Sequence, residues 1–182
     1  MHSAAAVDAA IGDALGKELE ELFREHHELI YRTAYSVTGS RQDAEDVLQT
    51  LFLRLLRRGL PPEFHGNPKG YVYRAAVNLA LNTVRTRRRR NVSGDVDQLP
   101  APVVEVSDAG ADDERRQRLL QAIAQLRPRA VEILILHYEH EYSDAAIARL
   151  LGTSRVTIAV TLHRTRARLK KLLLHTIPGG HR

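Results

Sequence analysis

The run YSDAAIARLLGTSRVTIAVTLHRTRARLKKL, Tyr142 to Leu172, decides how the rest of the chain is read. Its spacing predicts two helices joined by a tight turn. Ile147, Ala148, Leu151 and Gly152 close the first helix, and Ser154 stands where it can cap the second. Ala148 is small where two helices cross closely, and Gly152 can supply the positive φ of the turn. In the second helix Ile158, Leu162, Thr165 and Leu169 fall on one face at helical spacing. That leaves Arg155, Thr157, His163, Arg164, Arg166 and Lys170 available to solvent or DNA. A buried stripe backed by a basic one is what a helix lying in the major groove requires. An ordinary helical hairpin with a solvated basic face is the plainer alternative, but it gives no reason for the glycine, the cap and the spacing to coincide.

Upstream of this motif, Leu119, Ile123 and Leu126, then Val131, Leu134, Ile135 and Tyr138, predict two helices whose apolar sides form the core for the helix-turn-helix. Pro128 sits where a new helix begins. Before them, between Asn91 and Glu114, lie seven acids and no Lys or Arg, with Gly94, Pro100, Pro102 and Gly110 interspersed. Residues 91–113 read as a flexible acidic linker. Immediately ahead of it Arg85 and Arg87 to Arg90 place five arginines in six positions.

The first block, residues 17–90, predicts three helices. Leu19, Leu22, Phe23, His26, Leu29, Ile30, Ala34 and Val37 make one apolar face, ended by Gly39, with Ser40 as the next cap. Ala44, Val47, Leu48, Leu51, Phe52 and Leu55 form the stripe of a second helix, broken by Gly59, Pro61 and Pro62. A third runs from about Pro68 towards Arg90, with Val72, Ala76, Leu79 and Thr83 inward. The fold class is therefore all-α: two small helical domains, 17–90 and 114–176, on a tether. Residues 1–16, rich in Ala, and 177–182 read as tails.

At 182 residues and a net charge of +5 the chain suits a polyanionic partner, although charge alone does not separate nucleic acid from an acidic membrane surface. The absence of cysteine excludes a disulfide framework or thiolate zinc site in this chain. No apolar run approaches membrane-spanning length, and the N-terminus lacks the basic start and apolar core of a secretion signal, so a soluble cytoplasmic protein is expected. His137 and His140 lie one turn apart beside Glu141. With no further ligand identifiable, a solvated helix end is the expectation, and neither metal nor cofactor is expected. No catalytic constellation stands out, so no enzyme activity is expected.

Two faces are left over once the core is assigned. On the second helix Asp46, Gln49, Leu53 and Arg57 point away from the core, with Leu56 at the edge, and the leucines invite a protein partner. On the third, Tyr71, Arg74, Asn78, Asn82 and Arg85 combine ring, amide and guanidinium groups suited to unpaired bases and phosphates. Phe64 and His65 precede them as further stacking candidates.

In this order the pieces resemble bacterial RNA polymerase sigma factors of the extracytoplasmic-function group. DAEDVLQTLFLRLL, Asp43 to Leu56, is similar to the helix that binds the polymerase clamp. YVYRAAVNLALNTVRTRRRR, Tyr71 to Arg90, is similar to the helix that melts and reads the minus-ten element. The helix-turn-helix resembles the module that reads the minus-thirty-five element. The resemblance implies that Asp43, Asp46, Gln49, Leu53 and Leu56 meet core polymerase. It likewise implies that Phe64, His65, Tyr71, Arg74, Asn78, Asn82, Arg85, Arg87 and Arg88 meet the minus-ten strand. At the minus-thirty-five element it implies Ser154, Arg155, Thr157, Ala159, Val160, His163, Arg164, Arg166 and Lys170. Core polymerase and promoter DNA are the implied partners, with an anti-sigma factor in many members. The implied location is the cytoplasm, on the nucleoid when bound to polymerase. The chain departs from the family pattern at Thr50 (commonly Glu), at Leu56 and Tyr71 (commonly Trp), and at Ala159, Val160 and Thr161, where many members carry basic, Ser, basic. Small apolar groups there can meet thymine methyls, which implies an altered promoter choice. Two rival readings remain. A stand-alone helix-turn-helix regulator has no need of the first block's faces, and a basic RNA- or membrane-surface protein leaves the ordered helix-turn-helix unexplained.

Overall fold

The structure is a computed structural model that describes residues 2–93 and 110–175, with side chains described over 15–90 and 112–174. Among the described residues all regular elements are helices: α1 (His2–Thr38), α2 (Arg41–Arg58), α3 (Pro62–Gly66), α4 (Pro68–Ser93), α5 (Gly110–Ala124), α6 (Pro128–Tyr138), α7 (Asp144–Leu151) and α8 (Arg155–His175).

Local chemistry sets the breaks. Gly39, at φ 69°, ends α1 in the left-handed region. Ser40 opens α2 by accepting the Asp43 N–H at 3.2 Å, and Asp43 adds negative charge where the helix dipole favours it. After Gly59 the chain does not run as a plain loop, as the prolines suggested. Pro61 and Pro62 instead start the short α3, because a proline in the first helical turn loses no hydrogen bond. Asn67 then fastens the start of α4, its Oδ1 accepting the Gly70 N–H at 2.8 Å.

α4 positions everything else, because it carries apolar residues on two sides. Val72 and Ala76 join Leu19, Leu22, Ile30, Leu51, Leu55 and Phe64 in the core of the first block. Tyr73, Val77, Ala80 and Leu81 enter a second cluster with Ile123, Leu126, Val131, Leu134, Ile147 and Ile158 of the second block. The two helical domains pack together through α4. Tyr73, Val77, Ala80 and Val84 recur at helical spacing, a second stripe that the single-face reading of Val72, Ala76, Leu79 and Thr83 overlooked.

Polar contacts pin the junction. The Tyr73 hydroxyl donates to the Glu132 carbonyl at 2.6 Å. Asn67 Nδ2 donates to the Leu150 carbonyl at 2.8 Å. Thr33 Oγ1 and His140 Nε2 share a hydrogen bond of 2.9 Å, and Arg32 reaches Glu139 at 3.1 Å. His140 is thus half-buried against α1, and the solvated helix end expected for it is corrected.

Further corrections concern boundaries. α1 starts at His2 and runs through residues read as a tail, since alanine is the strongest helix former. α5 starts at Gly110, so Asp112, Asp113 and Glu114 occupy the first turn of a helix. Of the expected linker, residues 94–109 lie outside the described residues, as do the terminal residues 177–182. Phe23, Leu119 and Tyr138, assigned to the core, are exposed. Phe23 is stacked on His27, with ring centroids 5.0 Å apart.

Candidate nucleic-acid interface

α6 is the post on which the helix-turn-helix is mounted. Val131 to Leu136 are all buried, including Glu132, whose carboxylate is held by Arg129 at 3.0 Å. Arg129 also donates to the Leu151 carbonyl at 3.0 Å, fixing the end of α7. Ser143 caps α7 by accepting the Ala146 N–H at 3.3 Å. Gly152, at φ 63° and ψ 48°, makes the left-handed turn, and α7 and α8 meet at 107°. Ser154 caps α8, accepting the Thr157 N–H at 3.1 Å and bonding the Thr157 hydroxyl at 2.8 Å. Ile158, Leu162 and Thr165 are buried and Leu169 is partly buried, as their spacing predicts.

The buried stripe fixes which residues look outward. Val156, Val160, His163, Arg164 and Ala167 lie opposite it and are exposed, with Arg155, Thr157 and Ala159 beside them in the first turns. Lys170 is exposed further along α8. Arg166 is placed elsewhere. Its Nε donates to the Tyr138 hydroxyl at 2.6 Å, and its guanidinium lies 5.5 Å from the Tyr138 ring centroid. The same side chain reaches His137 Nε2 at 3.3 Å. Arg166 is thus engaged with α6, away from the outward line of α8.

On the first block, Tyr71, Asn78 and Asn82 line a cleft of about 350 Å³ between α2 and α4, with Arg54 and Arg58 on its opposite wall. Sequence reading missed the two arginines, although their spacing of one turn on α2 was the available signal. Arg74, half-buried, and Arg88, exposed, lie on α4 outside the cleft lining. His65 is exposed on α3, but Phe64 is 3% exposed and packs edge-on against Tyr71. Its expected role as a stacking platform for a base is corrected to that of a core residue. Arg85 donates to the Ala124 and Leu126 carbonyls at 3.2 and 2.9 Å, filling the open end of α5. Arg87 pairs with Asp43 at 2.7 Å and donates to the Thr38 carbonyl at 3.2 Å. One expected DNA contact and one expected polymerase contact therefore satisfy each other within the fold.

The outer line of α2 is open. Asp46, Gln49 and Arg57 are exposed, Leu53 is 48% exposed and Leu56 55%. A second apolar surface, missed in sequence, is a groove of about 780 Å³ between α1, α5, α6 and α8, walled by Leu119, Leu120, Leu173 and Leu174 and rimmed by Arg116 and Lys170. Its signal was there in Leu119 and Leu120, adjacent leucines of which a single stripe can bury only one. Among the described residues no group of three or more His, Asp or Glu gathers as a metal site, and no single helix is long and apolar enough to cross a membrane.

Two family models match the chain: Sigma-70 region 2 over residues 22–90, and Sigma-70, region 4 over residues 116–169. The ECF RNA polymerase sigma factor SigL of Mycobacterium tuberculosis is 30% identical over 167 residues, covering 90% of this chain and 89% of SigL. The ECF RNA polymerase sigma factor SigE of Mycolicibacterium smegmatis is 30% identical over 174 residues, covering 90% of this chain and 66% of that protein. Among solved structures, the sigma factor RpoE in complex with the anti-sigma factor NepR from Bartonella quintana shares the fold. Its TM-score is 0.51 at 20% identity, covering 88% of this chain and 99% of that one. CnrH in complex with the cytosolic domain of CnrY gives a TM-score of 0.52 at 18% identity, covering 93% and 96%.

Proposed function

The chain belongs to the extracytoplasmic-function group of RNA polymerase sigma factors, which direct the polymerase to promoters, and from that premise we propose how its surfaces divide the work. The outer line of α2, Asp46, Gln49, Leu53 and Leu56, docks on the polymerase clamp. The α2–α4 cleft, with Tyr71, Asn78 and Asn82 facing Arg54 and Arg58, takes the unpaired minus-ten strand, its ring and amides on bases and its guanidiniums on phosphates. The exposed side of α8 enters the major groove of the minus-thirty-five element. The protein has no catalytic step of its own and works in the cytoplasm, on the nucleoid when bound to polymerase.

The observation that carries this reading is the open line on α2. Two leucines stand about half exposed beside an acid and an amide, on a helix whose opposite side is fully packed. A stand-alone regulator has no use for that line, whereas a polymerase-binding protein has. An anti-sigma factor, the class of partner bound to the Bartonella relative, silences the protein by covering this line or the leucine-walled groove.

Leu53→Asp tests the assignment. It places an unpaired carboxylate in an apolar contact, which costs several kcal/mol. The expected result is loss of core-polymerase capture with helicity unchanged, because Leu53 contributes nothing to the packed side of α2. Undiminished capture would remove α2 from the interface.

A further inference from the structure

Val156 is 72% exposed and Val160 41% exposed, one helical turn apart on the outward line of α8. Neither belongs to the buried stripe, which runs through Ile158, Leu162 and Thr165 on the opposite side. A helix entering the major groove usually presents groups that hydrogen-bond base edges, and the outward line of this one carries two aliphatic side chains. Thr157, the polar residue between them, has its hydroxyl bonded to the Ser154 cap. Valine in a helix holds nearly one χ1 rotamer, so these side chains arrive rigid and lose little freedom on contact.

The only aliphatic group that DNA offers in its major groove is the C5-methyl of thymine. Four residues of helix advance about 6 Å at 1.5 Å each. That matches about two base-pair steps of roughly 3.4 Å.

We infer that Val156 and Val160 are specificity-determining residues that read a pair of thymine methyl groups about two base-pair steps apart in the upstream promoter element. The inference rests on the promoter-reading role of α8 proposed above and names what that helix selects. Val160, deeper along the helix and flanked by the small Ala159, gives the closer contact. Arg164 and Arg155, on either side of the line, hold the flanking phosphates or a neighbouring base.

Deoxyuridine is the discriminating probe, because it keeps every hydrogen-bonding group of thymine and removes only the methyl. Holoenzyme reconstituted from core polymerase and the full chain would select upstream elements from a randomised library. The expected element carries thymines, on either strand, at two such positions. Replacing one by deoxyuridine should weaken binding about fourfold, the effect of removing one buried methyl. Val160→Ala should lose the deoxyuridine sensitivity of one of the two positions and keep that of the other, and Val160→Ile should restore it. Both variants change an exposed side chain, so folding is not at stake. A selected element whose thymines tolerate deoxyuridine, or equal deoxyuridine sensitivity at both positions in the parent and Val160→Ala, would overturn the inference alone. Selection of no element by a holoenzyme that still assembles would overturn the reading role of α8 and the inference with it.

Discussion

His140 joins the two domains in surroundings that disfavour its protonated form. Its Nε2 bonds the Thr33 hydroxyl at 2.9 Å, and the rings of Tyr73 and Tyr142 lie edge-on at 6.1 and 6.3 Å. Burial lowers its pKa first, the Arg32 guanidinium and the Lys69 ammonium lower it further, and Glu139 opposes them. A depressed pKa means that the unfolded chain takes up the proton before the folded one does. Stability is therefore full above about pH 6.5, the ordinary histidine value, and falls as the medium is acidified through the lowered folded value. Urea titrations between neutral and mildly acid pH should show a midpoint that drops with acid in the parent and drops less in His140→Gln. Identical slopes would mean that His140 is not the group responsible.

Within single elements, what sequence made legible and what it hid follow from one physical fact: spacing reports how many sides of a helix are apolar, not what covers them. The frame of the helix-turn-helix was legible. The glycine turn, the Ser154 cap and the Ile158–Leu162–Thr165 stripe are local features, and local features are written in adjacent residues. α4 was half legible, because Tyr73, Val77 and Ala80 meet a partner more than forty residues away. The basic residues were least legible. Arg85, Arg87 and Arg166 look like phosphate anchors by charge, yet each reaches a carbonyl, a carboxylate or a ring supplied by another helix. α8 allows this to be measured. Arg164 faces outward, so Arg164→Ala should reduce the salt dependence of promoter binding by about 0.9 in log–log slope. Arg166→Ala should leave that slope unchanged and instead lower the unfolding midpoint, through loss of the Tyr138 contact. A flattened slope for Arg166→Ala would return that residue to the DNA.

The docked arrangement sets a requirement on the molecule as a whole. A compact chain of this length has a radius of gyration of about 16 Å. Upstream and minus-ten elements some 25 base pairs apart are separated by roughly 85 Å of duplex at about 3.4 Å per step. The two proposed reading surfaces cannot occupy both elements while the domains are packed together, so that assignment requires promoter binding to part them. Whatever free energy holds the junction is subtracted from promoter affinity, and a variant that opens the junction should recover it. Gly70 offers such a variant, since a Cβ there would collide with the Asn67 amide and lie 2.7 Å from the Leu150 carbonyl. Gly70→Ala should expand the free protein, read as a larger radius of gyration by small-angle scattering, and should tighten holoenzyme binding to promoter DNA. Unchanged scattering would show that the clash is absorbed locally.

Tyr73 gives this opening a colour. The chain has six tyrosines and no tryptophan, so tyrosine dominates its near-ultraviolet absorption. Tyr73 alone among them is fully buried, its ring at 0% exposure and its hydroxyl bonded across the junction to Glu132. Burial also raises its pKa well above that of a free phenol, with the Glu132 carboxylate adding to the effect. Parting the domains wets this ring and exposes its hydroxyl to base. The protein thus carries its own chromophore at the hinge: a tyrosine difference spectrum, with no dye attached, distinguishes the closed molecule from the open one.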